Sequence, residues 1–77
     1  MNIPFDLLLD TTGLVCPEPV MMLHSAVRGL GAGKVIKVVA TDPSTTRDIP
    51  RFCGFLGHEL LAQEQLEQSY CYFIRCG

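Results

Sequence analysis

Apolar residues follow two rhythms along this chain, and the alternation between them lays out the elements. Phe5 to Leu9 is a short apolar run closed by Asp10, two threonines and Gly13, which reads as a strand and a turn. From Pro17 to Leu30 the spacing is helical: Val20, Leu23, Val27 and Leu30 share one face, and Gly29, Gly31 and Gly33 mark the end. Lys34 to Thr41 is dense in β-branched residues and predicts a strand, with Ile36, Val38 and Ala40 pointing one way and Val35, Lys37 and Val39 the other. A second helix runs to about Leu56, with Asp42 as cap, Pro43 in the first turn and Ile49, Phe52, Cys53 and Leu56 as its apolar stripe. Pro50 interrupts that pattern and moves the expected start toward Ile49. After Gly57, His58 to Gln65 is a weaker strand with Leu60 and Ala62 inward. Ser69 to Cys76 alternates, with Tyr70, Tyr72, Ile74 and Cys76 on one face and Cys71, Phe73 and Arg75 on the other.

The order β-α-β-α-β-β predicts an α/β (α+β) two-layer sandwich. Right-handed crossovers would place two helices on one face of a mixed four-stranded sheet. The length, 77 residues, suits a single domain over residues 1–77 without repeats. If the first two strands run parallel, the turns before both helices lie at the same end of the sheet. Cys16 and the segment Asp42 to Asp48 then become neighbours, at the end where α/β sheets place their sites.

A formal net charge of −2 gives no general reason to expect nucleic acid as a direct partner. The start, Met1 to Asp6, has no basic region leading into an apolar stretch, so no signal peptide is expected, and the apolar runs are too short for a membrane span. A cytoplasmic protein with reduced thiols is the expectation. Its four cysteines, Cys16, Cys53, Cys71 and Cys76, contain no C-x2-C pair, so neither a structural zinc site nor any other metal is expected, and no cofactor. A small thiol oxidoreductase is also disfavoured. C-x-x-C is absent, and a resolving cysteine from elsewhere in the fold, such as Cys53, would have to leave a core stripe.

The candidate chemistry centres on Cys16 in Gly13-Leu14-Val15-Cys16-Pro17-Glu18-Pro19-Val20. Pro17 suits the first turn of a helix, which would make Cys16 the cap and aim its sulfur at free N–H groups and the positive end of the dipole. That place favours a thiolate. Pro17 and Pro19 stiffen the loop, which lowers the entropy lost when a partner docks. Glu18 suits the helix N-terminus, yet as an acid beside the thiol it opposes the thiolate. Arg47 is a candidate for stabilising the thiolate or docking an acidic partner, with Arg51 and Arg28 as weaker candidates for the same patch. Asp10 is expected to fix the turn before Cys16, and His24 to lie on the surface two turns down the helix. Cys53 belongs to the core; Cys71 is expected on the outward face and reactive. Met21, Met22 and Phe55 fall off the core stripes and offer either a docking surface or peripheral packing.

Two long motifs carry a resemblance. Cys16-Pro17-Glu18-Pro19, preceded by Leu9-Asp10 and Gly13-Leu14, and the stretch Asp42-Pro43-Ser44-Thr45-Thr46-Arg47-Asp48-Ile49-Pro50 stand in order, with Phe52-Cys53 and Tyr72-Phe73-Ile74-Arg75 beyond them. The chain resembles the TusA/SirA family of small sulfur carriers over nearly its whole length. The resemblance implies a two-layered α/β sandwich and a persulfide on Cys16, accepted from a cysteine desulfurase and passed to a downstream relay protein. It implies a covalent carrier rather than an enzyme. The best-known destination is 2-thiolation of the tRNA wobble uridine; other members serve molybdenum-cofactor synthesis or sulfur oxidation, and some are orphans. Cys71 and Cys76 depart from the family pattern. A non-catalytic regulatory or interaction module, in which docking matters and the thiol does not, is the alternative from another class.

Overall fold

The computed structural model describes residues 3–77; Met1 and Asn2, which enter the reading of the N-terminus, lie outside the described residues. Six elements follow one another: β1 (Leu7–Thr11), α1 (Glu18–Leu30), β2 (Val35–Ala40), α2 (Thr45–Leu56), β3 (Glu59–Leu66) and β4 (Ser69–Arg75). The strands form one mixed sheet in the order β1-β2-β4-β3, with β1 and β2 parallel and the other pairs antiparallel. The parallel pair requires a crossover, and α1 supplies it.

The alternation in β2 and β4 sets the core. Ile36, Val38 and Ala40 stand opposite Ile74, Tyr72 and Tyr70 across the antiparallel ladder. The first five of these are fully buried or nearly so, and Tyr70 is half-buried against them. Leu23 from α1 and Ile49, Phe52 and Cys53 from α2 close over the same face. Full burial of an aliphatic or aromatic side chain of this size stabilises by about 1.5–3 kcal/mol, so this one face supplies most of the apolar drive.

The helix-free face corrects the reading of Cys71. It does point outward, but it retains only 5% of its exposure. β4 is a central strand, so Val39 and Glu64 stand on either side of Cys71. One step along, Phe5 leans over Phe73 with ring centroids 6.3 Å apart, and Lys37 Nζ lies 5.5 Å from the Phe5 ring. Burial pushes the Cys71 and Cys76 thiols up, and takes Cys53 to about 11. None of the three resembles a reactive cysteine, which needs an exposed, electropositive setting.

Two boundaries and one register also differ. β1 begins at Leu7 because the chain at Asp6 is held otherwise: its N–H donates to the Val35 carbonyl at 2.7 Å and its carboxylate accepts from the Val35 N–H at 2.8 Å. In β3 the register slips between Leu60 and Ala62, making Leu61 the extra residue of a bulge. Leu60 faces the core, as expected, but Ala62 is turned to the other face opposite Phe73. α2 starts at Thr45, well before Ile49, and continues through Pro50. Its first bonds are tight, from Thr46 N–H to the Pro43 carbonyl and from Arg47 N–H to the Ser44 carbonyl, each 3.1 Å. The missing N–H of Pro50 therefore costs only a bond near the helix start, while side chains anchor the turn itself.

Candidate functional site

The end of β1 and the end of β2 lie side by side, Thr11 opposite Ala40, so the loops that follow both strands meet. Each loop is built from its own residues. In the first, Asp10 Oδ1 accepts from the Thr12 N–H at 3.0 Å and from its hydroxyl, closing the expected turn. Gly13 follows with φ +83°, a conformation side chains resist, and its N–H donates to Thr41 Oγ1 at 2.9 Å. In the second, Asp42 Oδ1 accepts from the Ser44 N–H at 3.1 Å and Oδ2 from the Ser44 hydroxyl at 2.7 Å. Ser44, not Asp42, is the residue that caps α2, and it makes no side-chain cap bond; Asp42 stands two residues earlier and closes the turn that leads into the helix.

Cys16 hangs between the two loops. Its N–H donates to Asp42 Oδ2 at 2.6 Å, and its thiol donates to Asp48 Oδ2 at 3.2 Å. The topology thus brings Cys16 to the Asp42–Asp48 segment, as the parallel pairing predicted. Cys16 is not the cap of α1. Pro17 occupies that place without a side-chain cap bond, across a cis Cys16–Pro17 peptide, and the helix starts at Glu18.

The electrostatics reverse the expectation of a stabilised thiolate. The hydrogen bond to Asp48 and the charges of Asp48 and Asp42 push the Cys16 thiol above its ordinary value, and the Ser44 hydroxyl opposes them only in part. Asp48 lies below the usual carboxylate range, held there first by Arg47 and then by Cys16; Asp42 is lowered by Ser44 and by the Cys16 N–H. At neutral pH the sulfur is therefore a thiol facing two carboxylates.

Arg47, expected to face the thiolate, pairs with Asp48 instead: its Nε is 3.0 Å from Asp48 Oδ1 and its side chain is 59% exposed. Arg51 does line the site, whereas Arg28 sits in the last turn of α1, away from the thiol. Glu18 is exposed in the first turn of α1, and Pro19 is buried behind it. Sequence reasoning missed the role of Asp48. The signal was an acid in the first turn of a helix whose leading segment had already been placed beside Cys16.

Beyond the sulfur, an open groove of about 620 Å³ runs between α1 and α2, lined by Cys16, Pro17, Val20, Asp48, Phe52 and Phe55. Phe55 is 91% exposed and Met21 62%, so both lie outside the core as expected. His24 is exposed and meets Phe52 edge-on at 5.9 Å; it does not contact the thiol.

Fold and site together define a small α/β sandwich that presents one exposed thiol at the mouth of an apolar groove. A family model described as Sulfurtransferase TusA matches residues 8–76, and the chain belongs to the TusA family. It is 66% identical over 70 residues to the sulfur carrier protein TusA of Pseudomonas putida strain W619, covering 91% of this chain and 88% of that one. It is 61% identical over 75 residues to the protein of the same name from Pseudomonas paraeruginosa, covering 97% and 95%. The crystal structure of a SirA-like protein from Desulfitobacterium hafniense superposes with a TM-score of 0.82 at 25% identity, over 94% of this chain and 99% of that one. The mixed sheet and the β-α-β-α-β-β order are those expected from the sequence. Among the described residues no helix is long and apolar enough to cross a membrane.

Proposed function

We propose that the protein is a cytoplasmic sulfur carrier that accepts a sulfane sulfur on Cys16 from a cysteine desulfurase. It hands that sulfur to a downstream relay protein, with 2-thiolation of the tRNA wobble uridine as the destination. The observation that carries this reading is the contrast among the four thiols: Cys16 is exposed on a loop at the groove mouth, while Cys53, Cys71 and Cys76 are buried. In loading, the Cys16 thiol loses its proton and the sulfur attacks the terminal sulfur of the donor persulfide. The donor's S–S bond breaks and its electron pair leaves with the donor thiolate, which takes up a proton. The oxidation level of the transferred sulfur is unchanged, so the step needs no cofactor or metal. The carrier turns nothing over by itself; both ends of the relay are other proteins. The proline-flanked loop holds the sulfur outward, and the apolar groove beside it suits a protein partner better than nucleic acid.

Intact-protein mass spectrometry after incubation with a cysteine desulfurase and cysteine tests this. Wild type is expected to gain one sulfur atom, reversibly by reductant, and Cys16→Ser none, with the fold intact. A Cys16→Ser protein that still gains sulfur would rule out the assigned site. One that restores tRNA thiolation in cells lacking the carrier would point to an interaction module instead.

A further inference from the structure

The carboxylate against the thiol has no part in the transfer step just described. It is nonetheless a built feature. Asp48 Oδ2 takes the Cys16 thiol at 3.2 Å while Arg47 Nε holds Oδ1 at 3.0 Å, and only 20% of the Asp48 side chain is exposed. The charged groups around the sulfur are Asp48, Arg47 and Arg51 on α2, Asp42 in the loop before it and Glu18 on α1. Of these, Asp48 is the one hydrogen-bonded to the sulfur itself.

We propose that Asp48 is a retention residue: its carboxylate holds the Cys16 sulfur as a hydrogen-bonded thiol when the carrier is empty and makes it a reluctant leaving group when the carrier is loaded. The loaded half rests on the persulfide reading above. In discharge, an acceptor thiolate forms the new S–S bond to the sulfane sulfur with its own electron pair. The bond from Cys16 Sγ to that sulfur breaks, and its pair stays on Sγ. The persulfide proton travels with the sulfane sulfur, and Cys16 regains a proton from solvent and its bond to Asp48. A thiol of higher pKa leaves more slowly, so a carboxylate facing Sγ slows loss of sulfur to small thiols in transit. The upward push that Asp48 exerts on the Cys16 thiol has the sign this role requires.

The pH profile of iodoacetamide alkylation of Cys16 tests the empty state in wild type, Asp48→Asn, Asp48→Ser and Asp48→Glu. Cys16→Ser gives the background from the buried thiols, and circular dichroism checks each fold. Both neutral variants are expected to titrate at lower pH, with Asp48→Glu returning toward wild type. Because nucleophilicity falls as the thiolate fraction rises, each tenfold gain in thiolate gives only about a threefold faster reaction at pH 7. A midpoint unmoved or raised in both neutral variants overturns the role of Asp48. This measurement needs no donor, so a wild type that never loads would overturn the proposed function separately. For the loaded state, labelled sulfur is expected to pass to glutathione faster from Asp48→Asn than from wild type, and equal rates overturn retention.

Discussion

Two helix starts meet at one end of the sheet, and they are built in opposite ways. The start of α2 is saturated with its own hydrogen bonds. Asp42 takes the Ser44 N–H and hydroxyl, Thr46 Oγ1 donates to the Pro43 carbonyl at 2.8 Å, and Thr45 Oγ1 is bonded both to the Asp42 carbonyl and to the buried Tyr72 hydroxyl, each at 2.8 Å. The start of α1 has prolines on both sides of Glu18 and no side-chain cap. What fixes its cysteine is borrowed: the Cys16 N–H and thiol both bond to acids of the other start. A reactive loop can thus stay exposed and cap-free while a neighbouring, self-sufficient loop sets its geometry. Under the proposed carrier role, that division would let the α1 start be shaped for contact with partners rather than for stability.

The comparison breaks most sharply at Asp42, the residue that serves both starts. Asp42→Ala removes the acceptor for the Cys16 N–H together with the carboxylate that closes the turn before α2. Misplacing a reacting atom by about 1 Å can cost up to about 100-fold, and sulfur loading by a desulfurase is expected to slow toward that bound. The same carboxylate gives the pH dependence its sign. Asp10, Asp42 and Asp48 all lie below the ordinary 3.8 in the folded protein. The unfolded chain therefore binds more protons in this range, so their stabilisation is complete above pH of about 5 and is lost as pH falls through the ordinary value and then the lowered folded ones. Urea midpoints measured from pH 6 downward are expected to fall in wild type, and less steeply in Asp42→Ala.

How far these starts could be read from the sequence differs for each. The turn at Asp10 and the meeting of Cys16 with the second loop follow from local turn chemistry and from parallel pairing, which act over a few residues or one crossover, whereas the cap of α2 falls at Ser44 rather than at Asp42. The β2 and β4 faces were legible because a one-residue slip would turn every core side chain to solvent. The burial of Cys71 was not, because it depends on β4 being central, and strand order leaves no mark on a strand's own alternation. Nor was the turn of Ala62, since the Leu61 bulge follows from pairing with β4. The charge state of Cys16 went wrong for a related reason. Its proline neighbour suggested a helix dipole, while the acids that decide the matter come from a distant part of the chain.

A smaller effect separates the scaffold start from the reactive one. Thr45→Val keeps the shape of a fully buried residue but strips Tyr72 of its hydroxyl partner. Leaving a buried hydroxyl unpaired costs about 1–3 kcal/mol, which lowers the urea midpoint. Removing the phenolic hydroxyl as well, in Thr45→Val with Tyr72→Phe, is expected to cost less than the sum of the two single changes, because the two share one bond. In both, Cys16 keeps its own acids, so the alkylation profile should move little. A large shift there would show that the α2 start positions the thiol through the core rather than through Asp42 and Asp48.

The smallest expected effect tests the sign of the field around the sulfur. Arg47 partly neutralises the carboxylate that faces Cys16, through its bond to Asp48 Oδ1. Arg47→Gln should leave Asp48 a fuller negative charge, raise the thiol further and move the alkylation midpoint to higher pH, opposite to Asp48→Asn. The guanidinium is largely exposed and screened by solvent, so the shift should be small and should shrink as salt is added. A midpoint that fell instead would mean that Arg47 acts on the sulfur only through loop geometry. The acid pair, rather than the net charge of the patch, would then set the state of the thiol.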